Sequence, residues 1–335
     1  MKILYHLSIL PPKIPQAEAL SQEIAALSAR VEGETIYLNP NRRAIGLIPR
    51  IFFGWHRLPA IRRQEKMVDL HHFYNPDPFA FPVLLSFRRP VIYTITSGLV
   101  SSNVRAGYFN RLAGVTVPDE RSAALLAAAG VTNCRVIRPG IDTSRFTFSP
   151  PPDDGTIRLM VGSAPWTEAQ FASKGVDALL AAAAREPRLH LVFLWRGVLA
   201  DGVAQRVAAA GVAAQVTVID RLADVNQVLA GVHGAITLAD APGIVKSYPH
   251  SLLDSLAAGK PVLVSRAIPM ADYVTETGCG VVLDGVTTEA VLAGVEGLMA
   301  GYGHFQGSAL QRGQRDFGLE TMLAQYWEMY DQVVS

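Results

Sequence analysis

GIVKSYPHSLLDSLAAGKPVLVS, residues 243–265, is the stretch whose reading decides the fold. Pro249 suits the first turn of a helix, where its missing amide hydrogen falls among donors that have no helical partner, and Ser247 or Tyr248 is placed to cap it. Gly259 and Pro261 stop the helix, and VLVS continues as a short buried strand. On a helical wheel Leu252, Leu253, Leu256 and Ala257 share one arc, and His250, Ser251, Asp254 and Ser255 share the other. The apolar arc is expected on a sheet and the polar arc toward a cleft. The first-turn amides of His250, Ser251 and Leu252, with the positive helix end, are suited to an anion such as a diphosphate, and Asp254 one turn deeper to sugar hydroxyls. An ordinary capped helix before a core strand fits this stretch equally well.

Around it the chain alternates strands and helices. In the first half Lys2 to Leu7, ETIYL (34–38), MVDLHHFY (67–74), PVIYTITSG (90–98) and AGVTVP (113–118) read as strands, and NCRVIRPGIDTSRF (133–146) as a strand plus turn. Residues 15–31 read as a helix, and Asp77 as the cap of another. In the second half IRLMVGS, HLVFLWRG, VTVID, GAITLAD and GVVLD read as strands, with helices beginning at Lys174, Asp201, Asp224 and 287. Such alternation predicts doubly wound parallel sheets. The run SPPPDDG (149–155) has no periodicity and reads as a linker.

Several of these residues together resemble the GT-B retaining glycosyltransferases of family 4, whose equivalent segment reads roughly E-G-F-P-N-x-L-L-E-A-x-A-x-G-K-P-V. Tyr248, Pro249, Leu252, Leu253, Asp254, Ala257, Gly259, Lys260, Pro261 and Val262 follow that pattern. Ile137, Pro139, Gly140, Ile141, Asp142 and Phe146 follow the family's I-P-N-G-I-D-x-x-x-F junction. The resemblance implies two Rossmann-like domains: an acceptor-side domain (1–148), the linker 149–155, a nucleotide-sugar domain (156–313), and a C-terminal helix (314–335) returning to the first through Tyr326, Trp327 and Tyr330. It implies a transferase that moves a hexosyl group from a nucleotide diphosphate sugar to a glycan or lipid-linked saccharide, as in cell-envelope polysaccharide synthesis.

By the same resemblance Gly162 and Lys174 hold the diphosphate, Arg221 and Leu222 the nucleobase, Tyr248, His250, Ser251 and Leu252 the phosphates through the helix start, and Asp254 the ribose. The catalytic candidates are Lys174, Lys246 and Thr96. Three positions depart from the pattern: Lys246 stands for the first Glu, Thr96 for a His and Ser163 for the clamp Arg, whose charge Arg196 or Arg266 is placed to supply. These departures leave open a non-catalytic nucleotide-sugar binder or partner subunit, and the scaffold also leaves open a nucleotide-sugar epimerase.

The remaining composition narrows the partners. Thirty basic and 29 acidic side chains leave a net charge of +1, which gives no reason to expect nucleic acid. Cys134 and Cys279 lack metal-ligand spacing, and His71 and His72, being adjacent, point to opposite strand faces, one packed and one facing a cleft. The expected transfer is metal-independent. With no apolar run of membrane-spanning length, a cytoplasmic protein is expected. Residues 41–66 mix arginines with Ile51, Phe52, Phe53 and Trp55, and read either as a sheet-covering helix with solvated arginines or as a peripheral contact with an anionic membrane face.

Overall fold

The computed structural model describes residues 1–11, 19–41, 48–195 and 199–335. It forms two compact units, residues 1–140 with 319–335 and residues 141–318. Each is built on a parallel six-stranded sheet.

In the first unit, β1 (Lys2–Leu7), β2 (Glu32–Tyr37), β3 (Leu70–Asn75), β4 (Val91–Ile95), β5 (Gly114–Val117) and β6 (Cys134–Val136) lie in the order β2-β1-β3-β4-β5-β6. Apart from the outer strands β2 and β6 they are buried nearly throughout, as strands covered on both faces must be. Residues 41–66 are neither one covering helix nor a long amphipathic one: they hold two 3-10 turns, Arg50–Phe52 and Trp55–Arg57, and the helix Leu58–Gln64, with 42–47 outside the described residues. Asp77 caps no α-helix; its carboxylate accepts from the Phe79 amide and from Arg50.

Helix Leu319–Val334 closes this sheet's core. Met322, Tyr326, Met329 and Tyr330 are buried in it, whereas Trp327, expected as a third aromatic anchor, is half exposed and lies outside the core cluster. His71 and His72 do lie on opposite faces, but both are fully buried. His71 shares hydrogen bonds with His6 (2.9 Å) and Glu65 (3.2 Å), and His72 with the Tyr330 hydroxyl and Thr94 (2.6 Å each). Burial pushes His71 down to about 4 and His72 to about 3, so both stay neutral in the fold.

The second sheet has β7 (Ile157–Val161), β8 (Leu189–Leu194), β9 (Val216–Ile219), β10 (Gly234–Thr237), β11 (Val262–Ser265) and β12 (Gly280–Leu283) in the order β12-β11-β10-β7-β8-β9. Ile141 and Phe146, which the sequence reading placed in the first domain, pack in this unit's core, and the Ile141 amide donates to the Phe317 carbonyl at 2.9 Å. The helices Met270–Thr277 and Tyr302–Asp316 were not anticipated from sequence.

The buried histidines set an acid limit. An unfolded His takes a proton near 6.5, whereas folded His71 and His72 resist protonation to well below that, so stability is full above pH 6.5 and is lost as pH falls toward 4. At pH 5 the loss is about 2 kcal/mol per histidine, and calorimetry should show melting at least about 4 °C lower than at pH 7.5. His72→Gln, which can hydrogen-bond Tyr330 and Thr94 without titrating, should flatten that dependence; an unchanged slope would remove His72 as its source.

Candidate functional site

At the centre of the second sheet β7 and β10 are neighbours, yet the chain leaves β7 toward β8 and β10 toward β11, on opposite sides. Ligands gather at such a switch point, beyond the carboxyl ends of the strands. The loop after β7 starts at Gly162, whose Cα abuts the first turn of the helix His250–Ala257: a Cβ there would lie 2.3 Å from Ser251 Cβ and 2.8 Å from its Oγ. Thr237, ending β10, brings its hydroxyl to 3.5 Å from that of Ser251.

The loop between β10 and this helix is pinned at both ends. Ser265 Oγ accepts from the Ala239 amide (2.8 Å) and donates to the Ala239 carbonyl (2.7 Å). The Asp240 amide donates to the Ser173 carbonyl (3.0 Å), and the Met270 amide to that of Ser247 (3.1 Å).

Lys174 does not begin a helix as expected. It closes the short helix Ala169–Ser173, and Gly175, at φ +68°, turns the chain into Val176–Arg185. A side chain at Gly175 would also strike Leu238, so glycine is required twice over. The result draws Lys174 inward until it is 6% exposed, with Nζ donating to the Ala164 carbonyl at 2.7 Å and no carboxylate partner among the described residues. Burial pushes this ammonium down to about 8. A cation held by one carbonyl in a desolvated place is poised for an anionic ligand.

The helix start differs in detail from the expectation. Pro249 is itself the cap residue (φ −63°, ψ 125°), and it makes no side-chain cap hydrogen bond. Ser247 is fully buried, and Tyr248 is buried with its ring 5.6 Å from that of Phe317. Leu252 donates its amide to the Pro249 carbonyl at 2.9 Å, which leaves His250 and Ser251 as the amides ahead of the ladder. Asp254 is half-buried on the polar arc, but Ser255 is turned inward, donating to the Lys260 carbonyl at 3.2 Å. Lys246 is half-buried beside His250, with no carboxylate partner among the described residues. Burial first, and the Lys246 charge second, hold His250 down to about 3, and its shielded Nε2 has no partner among the described residues.

The other candidates are not gathered here. Arg221 and Leu222 are exposed after β9, at the sheet's far edge. Arg266 is occupied by Asp284 at 2.6 Å, and Arg196 lies outside the described residues. Thr96 belongs to the first unit, its amide bonded to the Asn75 carbonyl at 3.0 Å. No three His, Cys, Asp or Glu side chains form a metal-ligand group among the described residues. The sequence reading took Ser265 only as the end of the strand VLVS; a lone hydroxyl closing an apolar strand was the available signal for its role in holding the loop.

Two Rossmann-like units with a C-terminal helix returning to the first define the GT-B architecture. Residues 154–305 match the family model of glycosyl transferases group 1. No curated protein sequence matches the chain. The structure is similar to that of HepE from Anabaena in complex with UDP, with 16% identity, TM-score 0.73, and 99% of this chain and 100% of that one covered. It is also similar to a glycosyltransferase from Rickettsia africae (13% identity, TM-score 0.73, 100% and 98% covered). A third is sucrose-phosphate synthase from Thermosynechococcus elongatus (15%, 0.73, 99% of each chain).

The Gly162 contact gives a direct test. Gly162→Ala must push the helix start off the strand end, at a cost of about 1 to 3 kcal/mol by thermal or urea unfolding. In a Ser251→Gly background the same change should cost under about 1 kcal/mol. Equal costs in both backgrounds would show that the two residues are not in contact.

Proposed function

We propose that this protein is a retaining, metal-independent glycosyltransferase that moves a hexosyl group from a nucleotide diphosphate sugar to a glycan or lipid-linked saccharide. The observation that carries the reading is that the family match, residues 154–305, lies within the unit 141–318 and takes in both the desolvated Lys174 ammonium and the open end of helix His250–Ala257. The charge that develops on a leaving nucleoside diphosphate needs fixed positive groups in a dry place, and these are such groups. In this reading Lys174 and the His250 and Ser251 amides take the diphosphate, Asp254 the ribose, and Arg221 and Leu222 the base. HepE, crystallised with UDP and with UDP-glucose, favours a uridine donor. The acceptor is assigned to the first unit, with Thr96.

A non-catalytic binder is the second reading, favoured by Lys246, Ser163 and Thr96, which depart from the pattern of the transferases. Hydrolysis and transfer assays with UDP, GDP and ADP sugars separate the two: binding without turnover sinks the enzymatic reading, and interconversion of the sugar would point to an epimerase instead.

Lys174→Ala should weaken nucleoside diphosphate binding about ten- to a hundredfold, the loss expected for one charge-assisted hydrogen bond, and leave binding of the bare nucleoside as it was. Because the free ammonium titrates near 8 and a bound diphosphate would hold its proton, the parent's affinity should fall as pH rises above about 8. Calorimetry at pH 7 and 9.5 with UDP and uridine checks both; a parent affinity that is flat in pH would remove Lys174 from the site.

We also assign a peripheral membrane contact on the cytoplasmic face to residues 48–66. Ile51, Phe52 and Trp55 are exposed on the two 3-10 turns, with Ile48 just before them and Arg57, Arg63 and Lys66 exposed alongside. Arg50 holds these turns firm, bound to both Asp77 carboxylate oxygens (2.7 and 2.8 Å) and lying 4.5 Å over the Phe79 ring. No helix is long and apolar enough to cross a membrane among the described residues. Co-sedimentation with anionic vesicles should be strong at low salt and fall steeply near physiological ionic strength, where screening sets in within about 8 Å. Phe52→Ser with Trp55→Ser should abolish it, and a parent that stays in the supernatant at low salt would overturn the assignment.

A further inference from the structure

The loops around the switch point carry more positive charge than a diphosphate requires. Lys174 and the end of helix His250–Ala257, worth about half a charge, face a group with one negative charge on each phosphate. That leaves Lys246. The loop that bears it, residues 238–249, contains one acidic residue, Asp240, which is exposed. The loop after β7 also contains one, Glu168, which is engaged by Arg206 at 3.1 Å. Neither lysine has a carboxylate partner among the described residues, and each is at least half withdrawn from water.

Lys246 is also not alone. His250, four residues on at the helix start, is near enough to feel its charge and has Nε2 shielded from solvent with no hydrogen-bond partner among the described residues. A buried polar atom of that kind is costly unless a ligand completes it. A cation next to a neutral imidazole, at the mouth of a helix, matches a carboxylate: the ammonium meets the charge, and Nε2, when it holds the ring proton, donates to the second oxygen.

We propose that the donor used by this site carries an acidic sugar, a nucleoside diphosphate joined to a hexuronic acid, whose carboxylate is received by Lys246 and His250. The proposal rests on the donor-binding reading above and adds the class of sugar. A neutral hexose leaves Lys246 half-buried and unanswered, so discrimination against it comes from the site's own unpaired charge as well as from contacts to the acid.

Calorimetric titration with two matched pairs tests it: UDP-glucose against UDP-glucuronate, and GDP-mannose against GDP-mannuronate, with UDP and GDP as references. In the pair whose nucleotide binds, the acidic donor should bind about ten- to a hundredfold more tightly than the neutral one, the gain of one charge-assisted contact. Lys246→Gln should erase the difference within the pair, and Lys246→Arg should keep most of it. Should Lys246→Gln fail to fold, as its melting curve would show, the parent's ratio and the arginine variant still decide. Equal affinities within the pair, or tighter neutral sugar, overturn the proposal. So does a Lys246→Gln variant that weakens both members alike, because Lys246 then serves the diphosphate. If only ADP binds, ADP-glucose against ADP-glucuronate makes the same comparison; if none of UDP, GDP and ADP binds, the donor-binding reading fails and takes this one with it, whereas diphosphates that bind without preference for the acid sink this proposal alone.

Discussion

The contact between Gly162 and Ser251 governs the second unit's geometry. Parallel pairing of β7 with β10 sends the two outgoing chains apart, and the gap between them must be filled from above. Helix His250–Ala257 fills it with Leu252, Leu253 and Leu256, all fully buried. Its first turn can seat on the strand end only because residue 162 has no side chain. That seat places the His250 and Ser251 amides at the switch point, where Ser265 separately pins the loop 238–249 and the turn at Gly175 draws Lys174 inward. A single methyl group at 162 would disturb that seat.

The unit buries two lysines, and the contrast between them separates stability from function. Burial pushes both Lys174 and Lys260 down to about 8. Lys260 lies where β11 begins, at the sheet edge opposite the switch point, fully buried with Nζ unpartnered among the described residues and 5.9 Å from the Phe148 ring. Its long stem fills core space, and its charge is a cost set against that packing. Lys174 bears a similar cost in the loop after β7, at the end of the sheet where the loops gather, with its Nζ on the Ala164 carbonyl. The difference lies in what each ammonium faces, which no count of buried charges reveals.

Both sheets and the decisive helix were legible because apolar strands repeat at regular intervals and Pro249, Gly259 and Pro261 punctuate the helix. What failed were inferences that need the third dimension. Ser255 sits on the polar arc of the wheel but turns inward to the Lys260 carbonyl, since a hydroxyl can be satisfied by backbone one turn on. Lys174 looked like a helix start, yet the glycine after it adopts φ +68° and breaks the helix there. The helix Tyr302–Asp316 went unseen because its glycines at 303, 307 and 313 argue against one in isolation. Lys246 beside His250 was invisible as a pair, because the chain bends at Pro249 between them.

The first unit shows how tertiary contact overrides chain order. Its sheet ends at Val136, but its core is closed by helix Leu319–Val334, which supplies Tyr326 and Tyr330 to the face that holds His72. The Tyr330 hydroxyl is 2.6 Å from His72 Nδ1 and, with Thr94, satisfies a fully buried imidazole that would otherwise lack a partner at depth. A chain carrying only residues 1–140 therefore exposes the apolar face around Leu70 and Ile92 and leaves half of this hydrogen-bond network open. Intact packing of the first unit thus requires that all of the second unit has already been made, which couples the two in synthesis even though each has a core of its own.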